Sequence, residues 1–269
     1  MRFAGVSACV MMIALVAPPQ AHAQKGTTTE VHIPSKTYPS GRHGWVYAPA
    51  GYPASCNSGC NLMIVFDGEQ YLSEIPLPEI LDSLTASKKI TPTVAVLFDN
   101  GAPPARLDDL ANSKKFASFV AGELIPWIRQ KYVVTRNPDH TIIAGSSAGG
   151  LEAAYIALYH SNIFGKVLSQ SAALWRGNEG SNGAPYEWLT QQYAGSRRVN
   201  VRFLLDVGSL ETRGALGGAA PSLRDANRRL RDVLKSKGYT LDYLEVPGGY
   251  HHPESWAKRF PQAVATLLH

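Results

Sequence analysis

Long apolar runs are missing from this 269-residue sequence. The stretch from Val6 to Ala17 is stopped by Pro18-Pro19 and falls short of the roughly 18 to 20 residues that a membrane-spanning helix needs, so no stable insertion in a bilayer is expected. Cysteine is scarce as well. The three present are Cys9, Cys56 and Cys60, too few for a disulfide-built scaffold, and the residues around the last two add no ligands for a metal site. Charged residues make up only 17% of the chain, and 26 lysines and arginines against 21 acids leave a net charge of +5. So mild a balance gives no reason to expect nucleic acid as a partner. The sequence also lacks a Gly-Lys-Ser/Thr ending and a Gly-x-Gly-x-x-Gly pattern, so it has neither a phosphate loop nor a dinucleotide fingerprint. No metal or organic cofactor is expected.

Residues 1–23, MRFAGVSACVMMIALVAPPQAHA, combine a positive start at Arg2, an apolar stretch and a small-x-small ending at Ala21-His22-Ala23. This predicts a cleaved secretory signal and a periplasmic or secreted chain of residues 24–269. Losing Arg2 and no acid takes the net charge from +5 to +4. In an oxidising compartment Cys56 and Cys60 are expected to close a small disulfide loop.

Downstream of the signal, short β-branched or apolar runs alternate with helical patterns, without repeats or an interdomain linker. Strands are expected near 29–36, 43–48, 62–66, 92–98, 140–144, 165–171, 200–207 and 240–246, and helices near 77–87, 116–132, 148–159, 185–194, 222–237 and 254–267. This alternation predicts one α/β domain with a mostly parallel sheet covered on both faces, its ligands bound at the carboxyl ends of the strands. Basic residues gather in 222–237, but Leu223, Ala226, Leu230, Val233 and Leu234 form an apolar stripe there. That segment reads as a solvated outer helix.

Residues 140–160, HTIIAGSSAGGLEAAYIALYH, run from strand through a turn of small residues into a helix. The turn contains Gly145-Ser146-Ser147-Ala148-Gly149, a Gly-x-Ser-x-Gly pattern between a strand and a helix, which makes Ser147 the candidate nucleophile. A sharp, strained turn lifts one hydroxyl clear of the sheet, and glycines two positions to either side remove side chains that would collide with backbone. Placing Ser146 in that role would put Ala144 and Ala148 at the flanking positions. A helix starting directly after the serine points free amides at a developing oxyanion, with the N–H of Ala148 as the natural donor.

A serine needs a base, and the base an orienting acid, in the chain order serine, acid, histidine. His251 and His252, in EVPGGYHHPESW, follow the last expected strand and are both candidates for the base. For the acid, FLLDVGSLETRG offers Asp206 at a strand end and Glu211 in the loop beyond it. A loop carboxylate reaches an imidazole more freely, which favours Glu211.

Taken together, LMIVFDGEQYL, IIAGSSAGGLEAAYIALYHSNIFGKVLSQSAALW, VGSLE and GGYHHPESW resemble the esterase family of α/β-hydrolases that includes enterochelin esterases, feruloyl and acetyl-xylan esterases, and mycolyltransferases. The likeness extends from about residue 40 to the end, and is nearest to the enterochelin-esterase branch. It implies an α/β-hydrolase fold and a serine esterase acting through an acyl-enzyme. The family's Gly-x-x-Asp/Glu acid falls on Gly208-Ser209-Leu210-Glu211. Its histidine, five residues before a tryptophan, falls on His251 when counted from Trp256, although Tyr250 is inserted after the glycines and His252 stands where an aspartate is common. The second oxyanion amide is expected from Glu69 or Gln70 in FDGEQYL. In RLDDLANSKKF, which resembles a family segment near the active site, Arg106 and Asp109 either pair with each other or line the substrate pocket. Trp175 and Arg176 are candidates to stack on and charge-match an anionic catecholate. The substrate so implied is a small-molecule ester, with a ferric catecholate siderophore first and a feruloyl or acetyl-xylan ester second. A non-catalytic binding module is the remaining class.

Overall fold

In the computed structural model, residues 25–177, 186–214 and 218–268 are described. The secretory signal expected over residues 1–23 lies outside them, as does most of the loop between Arg176 and Tyr186. Among the described residues no helix is long and apolar enough to cross a membrane.

The unbroken apolar runs became the middle of the sheet. Strands β3 (Asn61–Phe66), β4 (Thr93–Phe98) and β5 (Thr141–Ser146) are buried along their whole length. A strand buried on both faces has no reason to alternate polar and apolar side chains. β1 (Thr27–Ile33), mostly exposed, and β2 (Arg42–Ala48) precede them, and β6 (Lys166–Gln170), β7 (Arg202–Gly208) and β8 (Thr240–Val246) follow. The sheet order is β1-β2-β4-β3-β5-β6-β7-β8. β1 and β2 run antiparallel to their neighbours, while β4 through β8 pair in parallel.

Alternate side chains of the central strands feed two helix layers, as the two-residue period of a strand requires. Leu62, Ile64, Phe66, Val96 and Phe98 face one layer. It contains α4 (Lys114–Phe119), α5 (Ile125–Lys131), α6 (Ala148–Tyr159), α7 (Trp188–Gly195) and α8 (Leu223–Ser236). Met63, Val65, Ala95 and Leu97 face the other. There the cover is α2 (Leu77–Ala86) and α9 (Pro253–Leu268). Two short helices were not expected from the sequence, α1 (Gln70–Ser73) and α3 (Ala105–Asp109). They are too short to show a helical period.

The single helix expected over 116–132 is divided. α4 passes through a π turn at Val120–Leu124 into α5, and the amide of Ile125 reaches back to the carbonyl of Val120. Pro126 follows at once. Its ring would clash with the carbonyl four residues back in a regular helix, and the wider turn accommodates it.

Cys56 and Cys60 are disulfide-bonded across a separation of four residues. So short a loop removes little entropy from the unfolded chain, about 2 kcal/mol in the chain-entropy account. Replacing both cysteines by alanine should therefore lower the unfolding free energy by no more than about 2 kcal/mol, read from the urea midpoint. A larger loss would mean that the bridge holds native packing together.

The order of strands also creates the crevice. From β3 the chain crosses to β4 on one side, then returns to place β5 on the other. At such a reversal the loops leaving adjacent parallel strands diverge and leave space at their carboxyl ends. Asp67 to Glu69 follow β3 and Ser147 follows β5, so both segments border that space.

Candidate active site

Ser147 joins β5 to α6 with φ 55° and ψ −120°, a conformation that a side-chain-bearing residue rarely adopts. Its amide donates to the carbonyl of Gln170 at 2.9 Å, and its carbonyl accepts from Ala173 at 2.9 Å. The strained residue is thus pinned to the end of β6. A Cβ on Gly145 would lie 2.5 Å from the backbone carbon of Gly149, so Gly145 is obligatory for the turn. At Gly149 the nearest atom is the Asp67 carboxylate at 3.3 Å, a side chain, so only one of the two flanking glycines faces backbone. Ser146 is buried, with its hydroxyl donating to Gln70 Oε1 at 3.3 Å.

His251, in the loop between β8 and α9, has Nε2 at 3.0 Å from Ser147 Oγ and Nδ1 at 2.8 Å from Glu211 Oε2. An ionised carboxylate only accepts, so Nδ1 carries the proton and Nε2 is left to accept from the serine hydroxyl. Glu211 Oε1 accepts from Ser171 Oγ at 2.6 Å and from the Gly208 amide at 2.7 Å. Burial pushes the Glu211 carboxyl up, but the donors His251, Ser171 and Gly208 outweigh it and hold it below the ordinary carboxylate range. Glu211 is therefore charged well into acid pH.

The alternatives have other partners. His252 is exposed, and its Nδ1 accepts from the amide of Glu254 at 3.2 Å. Asp206 is buried in an ion pair with Arg259 Nη2 at 2.7 Å, and also accepts from Gln170 Nε2 at 2.9 Å. Removing one charge of a buried pair strands the other, at a typical cost of about 3 to 5 kcal/mol. Asp206→Asn should accordingly lower stability by about 3 kcal/mol in urea unfolding and leave kcat of the folded fraction within a few-fold, whereas Glu211→Gln should do the reverse. The opposite pattern would reassign the acid.

At the start of α6, the amide of Ala148 has no carbonyl within its own helix to bond. Across the crevice, the amide of Gln70 is taken by the carbonyl of Asp67 at 2.9 Å, which leaves Glu69 as the better-placed donor of the expected pair. The loop carrying it is held to β4: the amide of Asp67 donates to Asn100 Oδ1 at 3.0 Å and that of Gly68 to the carbonyl of Phe98 at 2.8 Å.

Arg106 does not pair with Asp109. Its guanidinium makes two bonds to Asp67, at 2.6 and 2.7 Å, while Asp109 is taken by Arg42 and Asn100. The cavity of about 300 Å³ beside Ser147 is lined by Asp67, Glu69, Asp99, Arg106 and Trp256 among others. Among the described lining residues, Asp67, Glu69 and Asp99 stand with Arg106, which is bonded to Asp67. Trp175 and Arg176 do not line it. Trp175 packs against the core, and the Arg176 guanidinium lies 5.5 Å from its ring centroid. Sequence reasoning missed Asp67, Asn100 and Ser171. Their only signal is a place just after a strand, which many loop residues share.

A family model described as "Putative esterase" matches residues 35–267. The iron(III) enterobactin esterase of Dickeya dadantii is 34% identical over 200 residues, which cover 73% of this chain and 43% of that protein. The chain spans about half the length of the curated enterobactin esterases it matches first. The crystal structure of the enterobactin esterase from Shigella flexneri in the presence of enterobactin superimposes with a TM-score of 0.76 at 25% identity, covering 94% of this chain and 64% of that one. A ferulic acid esterase from Anaeromyces mucronatus superimposes with a TM-score of 0.69 at 18% identity, over 93% of both chains, a likeness of fold.

Proposed function

Because the chain belongs to this esterase family and has the α/β-hydrolase fold, we propose that it is a carboxylic ester hydrolase in which Ser147 is the nucleophile, His251 the base and Glu211 its orienter. The observation that carries the reading is the unbroken line from Ser147 Oγ through His251 to Glu211, at 3.0 and 2.8 Å, set on a strained turn at the mouth of the crevice.

The chemistry follows from those contacts. Ser147 Oγ attacks the ester carbonyl as its proton passes to His251 Nε2, and Glu211 stabilises the imidazolium that forms. Negative charge gathers on the former carbonyl oxygen, where the amides of Ala148 and Glu69 are the proposed donors. Collapse expels the alcohol, which takes the proton from His251, and leaves an acyl-serine. Water repeats the sequence and releases the acid. None of these steps requires a metal or an organic cofactor.

As substrate we propose the ester bonds of a catecholate trilactone of the enterobactin type, supported by the names of the curated enterobactin esterases that the chain resembles. With Asp67 neutralised by Arg106, the carboxylates of Glu69 and Asp99 in the described lining beside Ser147 support a second reading, a neutral aryl ester such as a feruloyl group on a sugar. The leader pattern of residues 1–23 supports placing the activity in the periplasm or outside the cell. Incubation with enterobactin, its iron complex and methyl ferulate, followed by chromatography, separates the two substrates. Linear dihydroxybenzoyl-serine products with untouched ferulate are expected. Ferulate release with an intact trilactone would replace the first reading by the second.

A further inference from the structure

Gln170 and Ser171, consecutive residues at the end of β6, hold two parts of the site at once. The carbonyl of Gln170 fixes the backbone of Ser147. Ser171 Oγ, fully buried, touches the carboxylate of Glu211. Ser171 also has φ 46°, in the left-handed region that a residue with a side chain seldom occupies. A strained residue at such a point is a reason to ask what its side chain does.

The bonding of that hydroxyl admits one arrangement. Trp256 Nε1 lies 2.9 Å from Ser171 Oγ and Arg259 Nη2 lies 3.5 Å away. Both groups can only donate, so the serine oxygen accepts from them and its single proton is left for Glu211 Oε1 at 2.6 Å. With the Gly208 amide on the same oxygen, Oε1 is fully occupied and Oε2 is reserved for His251. Trp256 ties the arrangement to the base as well, since its ring packs edge-on against His251 with centroids 5.0 Å apart.

We infer that Ser171, its hydroxyl oriented by Trp256 and Arg259, is a positioning residue that aims Glu211 at His251 and keeps it ionised. The inference rests on the proposed triad. The charged and titratable groups around Glu211 are His251 from the loop before α9, Asp206 from β7, Arg259 from α9 and Arg224 from α8, whose amide donates to the Glu211 carbonyl. Removing the hydroxyl leaves all four in place and deletes one of three donors to the carboxylate. The bonded pair of Glu211 and His251 then takes up its first proton more readily, so activity is lost at a higher pH on the acid side.

Ser171→Ala and Ser171→Gly test this together. Alanine keeps the wild-type strain and glycine relieves it, so an effect of the backbone differs between the two variants while loss of the hydroxyl is common to both. With rates normalised to fluorophosphonate-titratable sites, both should show kcat on the order of tenfold to a hundredfold lower with KM changed less than about twofold, the usual size of an outer positioning contact. The acid limb of kcat/KM should rise by about half a pH unit or more. Trp256→Phe, which keeps a ring against His251 but removes the N–H, should move both readouts in the same direction by less. Wild-type rates and an unshifted acid limb in Ser171→Gly, with the wild-type protein active, would overturn the inference and leave the triad standing. An inactive, unlabelled wild-type protein would overturn both.

Discussion

Ser147→Ala will abolish ester hydrolysis while the protein unfolds at essentially the wild-type urea concentration. The hydroxyl forms the bond to the acyl group, and loss of a triad member costs on the order of 10⁴- to 10⁶-fold in kcat, leaving what binding and the oxyanion amides supply. The fold should barely register the change, because alanine keeps Cβ at φ 55° and the two backbone bonds that anchor the turn. Ser146→Ala is the matching control. Its hydroxyl donates to Gln70 Oε1 at 3.3 Å, while His251 Nε2 is bonded to Ser147 Oγ, so most activity should remain. Steady-state rates on p-nitrophenyl acetate decide between them, and a dead Ser146→Ala beside an active Ser147→Ala would shift the nucleophile by one residue.

The second large effect is expected at the base. His251→Ala should be about as damaging as Ser147→Ala, and the double variant no worse than either, because members of a triad fail as a unit. His252→Ala should stay within a few-fold of wild type. Its imidazole is exposed and, among the described residues, accepts from the amide of Glu254 two residues on, with Tyr250 alongside at 5.8 Å between ring centroids. Equal losses at both histidines in kcat/KM would contradict the single base assigned to His251.

Much of this arrangement could be read from the chain, for physical reasons that differ by residue. Ile142, Ile143 and Ala144 followed by Gly145-Ser146-Ser147-Ala148-Gly149 marked a buried strand turning sharply into a helix, since few other residue types fit a backbone at φ 55° with Gly149 only 2.5 Å from a Cβ at position 145. The central strands were found because burial on both faces leaves their middles apolar. Short elements escaped. α1 and α3 have four and five residues, too few to show a period, and yet they carry or follow the loop residues that border the crevice.

The partners of charged residues were the least legible. Nothing near Arg106 in sequence shows that it bonds Asp67, 39 residues away, or that Asp109, its near neighbour, belongs to Arg42 and Asn100. Those pairs exist because the antiparallel β2 begins beside the ends of β4 and β3. Charge counted along the chain likewise does not say that, among the described residues, Asp67, Glu69 and Asp99 line the cavity together with Arg106. Ser171 depends on contacts with residues 40, 85 and 88 positions away.

Covalent labelling tests the central claim most directly. The protein is incubated with a fluorophosphonate, digested with trypsin, and the peptide of residues 137–166 is sequenced by fragmentation mass spectrometry. A serine activated by His251 should carry one phosphonyl group on Ser147, at close to one per molecule, and lose it in Ser147→Ala and His251→Ala. An unmodified peptide from folded wild-type protein, or the adduct on Ser146, would contradict the account.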